Sequence, residues 1–143
     1  MLAEALVCLA LNVYFEARNQ AVEGQIAVSE VVMNRVKDSR FPDNVCDVVK
    51  QGVHSKVTKL PLRWKCHFSW YCDGKSDRPK DLDAYRWAGV VAEYVLAGKS
   101  GNITEGSTHY HATHVSPDWN IQKKKVSQIG DHIFYRWEKN EHK

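Results

Sequence analysis

No stretch of this chain is apolar for long enough to cross a bilayer, so no membrane insertion is expected. Leu2 to Val13 is apolar enough to suggest a leader peptide. No basic segment precedes it, Glu4 interrupts it, and no small-residue cleavage site follows it, so neither an export signal nor an anchor is expected. The chain has no Gly-x-Ser-x-Gly elbow and no phosphate loop, which removes the common serine-nucleophile and nucleotide-hydrolysing classes. The helix-borne His-Glu-x-x-His zinc motif is also missing. Only four cysteines occur (Cys8, Cys46, Cys66 and Cys72), without paired zinc-ligand spacing or an activating context. Charge of one sign is scarce too. Twenty basic and 17 acidic residues leave a formal net charge of +3, which suits an anionic polymer without demanding one, and no nucleic-acid reader motif accompanies it. There is no repeat, low-complexity tract or second-domain boundary. The 143 residues read as one domain, with 138–143 as a frayed polar tail.

The chain opens with a helical pattern. Leu2, Leu6, Leu9 and Val13 recur three or four positions apart and predict a helix near 3–18 with one inward face. Glu16 continues that face. A carboxylate there either pairs with a nearby arginine, Arg18 or Arg35, or is a partly desolvated acid able to donate a proton near neutral pH. A second helix near 21–37 should follow, with Val22, Ile26, Ser29, Met33 and Val36 inward and Asn19 as its cap. Gly24 within it suggests a close helix crossing.

Val45 to Val49 reads as a short amphipathic turn or helix, and Lys50 to Lys65 as a basic loop. His67 to Tyr71 is aromatic and strand-like, within a hairpin spanning 66–72. Asp81 should cap a third helix near 82–97 that Gly98 ends. Ser107 to Val115 alternates like a strand. Val126 to Ile129 and Ile133 to Trp137 flank the turn signal Gly130-Asp131. Cys8 reads as a small core residue of the first helix, whereas Cys66 and Cys72 either bridge their hairpin or stay reduced. The fold class is therefore α+β, helix-dominated at its N-terminus, with small antiparallel hairpins lining a cleft.

Two groups of residues could carry chemistry besides Glu16. Phe68, Trp70 and Tyr71 could stack on sugar faces or simply pack the core. His109 and His111 point the same way on a strand and could bind a metal with His114, His132 or Asp131, as in a metal-dependent amidase or peptidase. A wall-binding module without catalysis is a third reading, but such a module has no use for an inward acid.

Several segments, in order, resemble one family. They are Asn12-Val-Tyr-Phe-Glu-Ala-Arg18, Glu23-Gly-Gln-Ile-Ala-Val28, Val32-Met-Asn-Arg-Val36, Phe68-Ser-Trp70 with Asp73-Gly74, Thr108-His-Tyr-His111, and Ile129-Gly-Asp-His-Ile-Phe-Tyr135. Together they look like the SleB-type cell wall hydrolases, the spore-cortex-lytic enzyme family, across nearly the whole chain. The resemblance implies a lysozyme-like fold and Glu16 as catalytic acid. It also implies cleavage between N-acetylmuramic acid and N-acetylglucosamine in peptidoglycan, by a lytic transglycosylase or a muramidase. Most glycosidases use a second carboxylate. Glu23, Glu30 and Asp73 are the other acids considered, and none sits in an obvious partner motif. A transglycosylase needs none, because the muramic 6-hydroxyl attacks its own anomeric carbon. Phe68, Ser69, Trp70, Thr108, Tyr110 and His111 are the expected substrate-binding residues. The expected partner is a peptidoglycan glycan strand, met by a monomer without metal or cofactor, as in a bacteriophage endolysin or a bacterial enzyme delivered by other means. Two departures stand out. Asn19-Gln20 replaces a Gly-Glu pair frequent in the family, and residues 54–65 look like an insertion.

Overall fold

The structure, a computed structural model, describes residues 2–138; the tail expected to fray at 138–143 lies outside them from residue 139 on. Helix α1 (Leu2–Ala17) follows its apolar periodicity and buries Leu9 and Val13 completely, each stabilising the fold by ~2 kcal/mol. Leu6 is half-buried on the same face, while the Leu2 side chain lies outside the described set.

Helix α2 (Val22–Lys37) departs from the one-faced pattern. It packs against α1 and later helices at once, so Ala27, Val28, Ser29, Glu30, Val31 and Val32 are all buried. Val22, expected inward, is exposed. Ala21, not Asn19, occupies the cap position and makes no side-chain cap bond. Gly24 faces no helix crossing. A Cβ there would sit 3.1 Å from Cβ of Gln20, so the tight approach comes from the preceding link.

Helix α3 (Val45–Val49) is capped by the Asn44 side chain, which accepts from the Asp47 amide at 2.9 Å. Helix α4 (Leu82–Leu96) starts where the Asp81 carboxylate accepts from the Ala84 amide at 3.0 Å, and it stops at Gly98, whose φ of +77° suits glycine. It lies mainly on α1.

Two small antiparallel sheets complete the α+β architecture. Strands β1 (Gly52–His54) and β2 (Pro61–Cys66) form a hairpin where a basic loop was expected. Its strands are short, irregular in register and mostly solvent-facing, so they carry no apolar alternation. The segment His67 to Tyr71, expected to be strand-like, instead leads into a 3-10 turn at Ser69–Cys72, and a Cys66–Cys72 disulfide ties that turn to β2. The second sheet has the order β3-β5-β4, from β3 (His109–Ala112), β4 (Lys124–Ile129) and β5 (His132–Arg136). The Gly130-Asp131 turn joins β4 to β5 as read from sequence. Cys8 is more than a packing residue, since it is bonded to Cys46 and staples α1 to α3.

Candidate active site

Glu16 lies in the last turn of α1 and the pleat of β3 aims Tyr110 at it, so that the phenolic hydroxyl donates to Oε1. The side chain keeps partial exposure to solvent, yet protein atoms crowd the carboxyl. Burial raises its pKa above the ordinary carboxylate value, and the Tyr110 hydrogen bond and the more distant Arg35 charge oppose that rise only in part. Tyr110 itself is held neutral, its pKa pushed well up by burial and by Glu16.

Neither arginine suggested by the sequence pairs with Glu16 among the described residues. Arg18 donates to the Tyr14 carbonyl at 3.1 Å and lies over the Tyr14 ring. Arg35 is buried, with Nε donating to the Thr108 carbonyl at 2.7 Å and its guanidinium placed over the Phe41 and Phe68 rings. Burial brings its pKa down to about 10, so it stays cationic at neutral pH and acts on Glu16 as a fixed charge.

Two cavities meet at Glu16. One, of about 460 Å³, has Phe15, Ser69, Trp70 and Asp73 on its wall. The other, of about 430 Å³, has Gln20, Thr113, His114, Asp131 and His132 on its wall. Phe15, Glu16 and Arg18 border both, so the two form one open groove with Glu16 at its middle. Phe15 stacks on Trp70 at 4.9 Å between ring centres, and Trp70 is fixed by its indole N–H donating to Asn12 Oδ1 at 2.8 Å. Tyr14 holds the opposite wall. Its hydroxyl accepts from the Lys80 and Asp81 amides at 3.1 and 3.0 Å, pinning the segment that leads into α4.

Of the expected substrate-binding residues, Ser69, Trp70 and Tyr110 come together around Glu16. Phe68, Thr108 and His111 do not. Phe68 is buried behind Tyr110, beneath the Arg35 guanidinium. Thr108 is buried and borders a separate cavity with Asn34, Lys37 and Arg40. His111 points to the other face of the sheet, since strand neighbours alternate, and its Nε2 meets the Tyr135 hydroxyl at 2.9 Å. His109 shares that face, against Trp119 and Trp137.

The metal reading fails on this geometry. Nδ1 of His111 faces the Ala112 carbonyl at 2.7 Å, so both of its ring nitrogens are engaged. His132 sits on the Tyr110 side, across the sheet from His109 and His111. Among the described residues no three His, Cys, Asp or Glu side chains converge to hold an ion.

The other acids separate clearly. Glu23 is exposed, and Glu30 is consumed by the amides of Ile103 and Thr104 and the Thr104 hydroxyl. Of these three acids, Asp73 reaches the groove. Gln20, at the departure from the family pattern, exchanges hydrogen bonds with Asp131 and so clamps the β4–β5 turn to the end of α1. Sequence reading missed Tyr14, Gln20 and His132 as groove residues. Their signal was their place in motifs already quoted, next to Glu16 or in the Gly130-Asp131-His132 turn.

Fold and site thus define an α+β, lysozyme-like domain with one desolvated acid in the middle of an open groove. The sequence model of the cell wall hydrolase family matches residues 19–135, and the chain belongs to that family. Glu16 lies three residues ahead of the matched segment. Among curated relatives, the spore cortex-lytic enzyme of Oceanobacillus iheyensis is 46% identical over 131 residues, covering 88% of this chain and 39% of the relative. The spore cortex-lytic enzyme of Halalkalibacterium halodurans is 30% identical over 131 residues, covering 88% of this chain and 33% of the relative. The chain therefore spans between a third and two fifths of the length of these relatives. The same fold occurs in the solved catalytic domain of the germination-specific lytic transglycosylase SleB from Bacillus anthracis. The TM-score is 0.68 at 22% identity, over 92% of this chain and 93% of the other. The SleB catalytic domain of Bacillus cereus gives a TM-score of 0.64 at 22% identity, over 94% and 91% of the two chains.

Proposed function

We propose that this domain acts as a monomer on bacterial peptidoglycan and cleaves the bond between N-acetylmuramic acid and N-acetylglucosamine as a lytic transglycosylase. The observation that carries the reading is Glu16, a carboxyl with a raised pKa and, among the described residues, a single hydrogen-bond partner, placed where the two cavities adjoin. Family membership and the spore cortex-lytic relatives support the same substrate. In the first step the Glu16 carboxyl gives its proton to the glycosidic oxygen. The bond from that oxygen to the muramic C1 breaks with its electron pair on the oxygen, and the N-acetylglucosamine 4-hydroxyl leaves. In the second step the Glu16 carboxylate takes the proton of the muramic 6-hydroxyl, whose oxygen bonds C1. The result is a 1,6-anhydro ring and a reprotonated Glu16, with no water consumed. Tyr110 orients the carboxyl through both steps, and Ser69 and Trp70 line the sugar path.

One observation favours a second reading. Asp73 lines the same cavity and could activate water, which would make the enzyme a muramidase. Mass spectrometry of digested, purified peptidoglycan separates the cases. Anhydro-muramic ends are expected. Reducing muramic ends that disappear in Asp73→Asn would establish hydrolysis. Released stem peptides, with activity lost to a chelator and restored by zinc, would overturn both readings.

A further inference from the structure

The two halves of the groove differ in charge. Lys75, Arg78 and Lys80 line the half that contains Trp70, and none of them reaches the other half. Arg18 borders both. The acids on the first half are Glu16 and Asp73, and one Asp73 oxygen is occupied by the Lys75 amide at 2.9 Å. The second half carries Asp131, His114 and His132 and no lysine. Among the described residues Lys75, Arg78 and Lys80 make no ion pair, and all three are exposed. The end of their segment is nonetheless anchored, because the Tyr14 hydroxyl accepts from the Lys80 and Asp81 amides. Four cations, Arg18, Lys75, Arg78 and Lys80, outnumber the two acids on this wall even with Asp77 close to Asp73, and an excess of one sign of charge in a cleft concentrates the opposite sign. A neutral sugar would have no use for it.

We infer that Lys75, Arg78 and Lys80 bind a carboxylate of the muramic unit, so that the enzyme selects glycan strands by their acidic substituents. This rests on the glycan-cleaving function proposed above. The carboxylate is one of the stem peptide where a peptide is attached, because that amide bond uses up the lactyl carboxyl, and the lactyl group itself where the muramic unit carries no peptide. Either would enter the groove with the muramic ring and be held without contact to the bond that breaks, so the three residues set affinity rather than turnover.

The test compares the wild-type domain with the triple variant Lys75→Ala, Arg78→Ala, Lys80→Ala on soluble peptide-bearing strands. The same strands, with their carboxylates converted to amides by carbodiimide and excess ammonium, serve as the second substrate. On native strands the variant is expected to raise KM about tenfold with kcat unchanged, the sum of three solvent-exposed charge contacts. On amidated strands wild type and variant should share one raised KM. Peptide-free strands, where the lactyl carboxylate alone remains, identify the source. A variant effect kept there shows that the freed lactyl carboxylate is held as well as that of the peptide, and one lost there assigns the peptide alone. A variant with native KM, or one whose KM rises equally on native and amidated strands, overturns the inference. Wild type that cleaves native and amidated strands with one KM overturns it while leaving the proposed function standing. Wild type that releases no glycan fragment from any substrate overturns the proposed function itself, and this inference with it.

Discussion

The Tyr110 hydroxyl donates to the Glu16 carboxylate across 94 positions of sequence, and it is the sole hydrogen-bond partner of that carboxylate among the described residues. Burial favours the protonated acid and this bond favours the ionised one, so the pair sets where Glu16 titrates. For a general acid, activity falls as pH rises through the raised pKa. The alkaline limb of the rate profile should therefore lie above the ordinary glutamate value of 4.5. Tyr110→Phe removes the bond that lowers the pKa. It should move that limb to higher pH and reduce kcat about tenfold, the cost of losing one hydrogen bond to a charged group. A pH–kcat series on both proteins measures this. An unmoved limb would separate Tyr110 from Glu16 titration.

Much of the fold was legible because it follows local rules. The inward face of α1, the Asp81 cap and the Gly98 stop of α4, and the Gly130-Asp131 turn all appear where periodicity and turn chemistry put them. The β1–β2 hairpin was not legible. Its residues face solvent and carry no apolar alternation, although the Cys66–Cys72 bridge that ties its end down is one of the two states the sequence offered for that pair. The 3-10 turn at Ser69–Cys72 was mistaken for strand because aromatic content suits both. Glu16 was legible as an inward acid, but not its environment. Tyr110 arrives from β3, and the cationic wall at 75–80 looks like an ordinary solvated loop until Tyr14 is seen holding it.

His109 makes the domain sensitive to acid. Its ring lies among Phe41, Trp119 and Trp137, and burial, reinforced by the nearby Arg35, depresses its pKa to about 3. The unfolded chain takes up that proton near 6.5, so between those values the unfolded state binds more protons. Stability from this group is present above pH 6.5 and is lost as pH falls toward 3. Thermal melts from pH 7 to pH 4 should show a falling Tm in wild type and a flatter curve in His109→Phe. Parallel curves would show that the acid sensitivity arises elsewhere.

The Cys8–Cys46 bridge closes a separation of 38 residues and joins α1, which carries Glu16, to α3. Removing it as Cys8→Ala, Cys46→Ala should destabilise the fold by about 2–4 kcal/mol, chiefly by freeing the unfolded chain. Urea unfolding should show a lower midpoint with an activity per folded molecule close to wild type. A reductant should lower the wild-type midpoint and leave the variant less affected, the Cys66–Cys72 bridge accounting for what remains.

The central claim is that Glu16 delivers a proton, and the most direct test is turnover of Glu16→Gln on peptidoglycan, measured with Tm on the same preparation. Gln keeps the size and can still meet Tyr110, but it cannot act as an acid. Turnover should fall by roughly 10²–10⁴-fold or more. Tm near neutral pH should hold or rise, because an ionised carboxylate no longer has to be desolvated. A variant that melts earlier than wild type but keeps its rate per folded molecule would contradict the account, and would make Glu16 a structural residue.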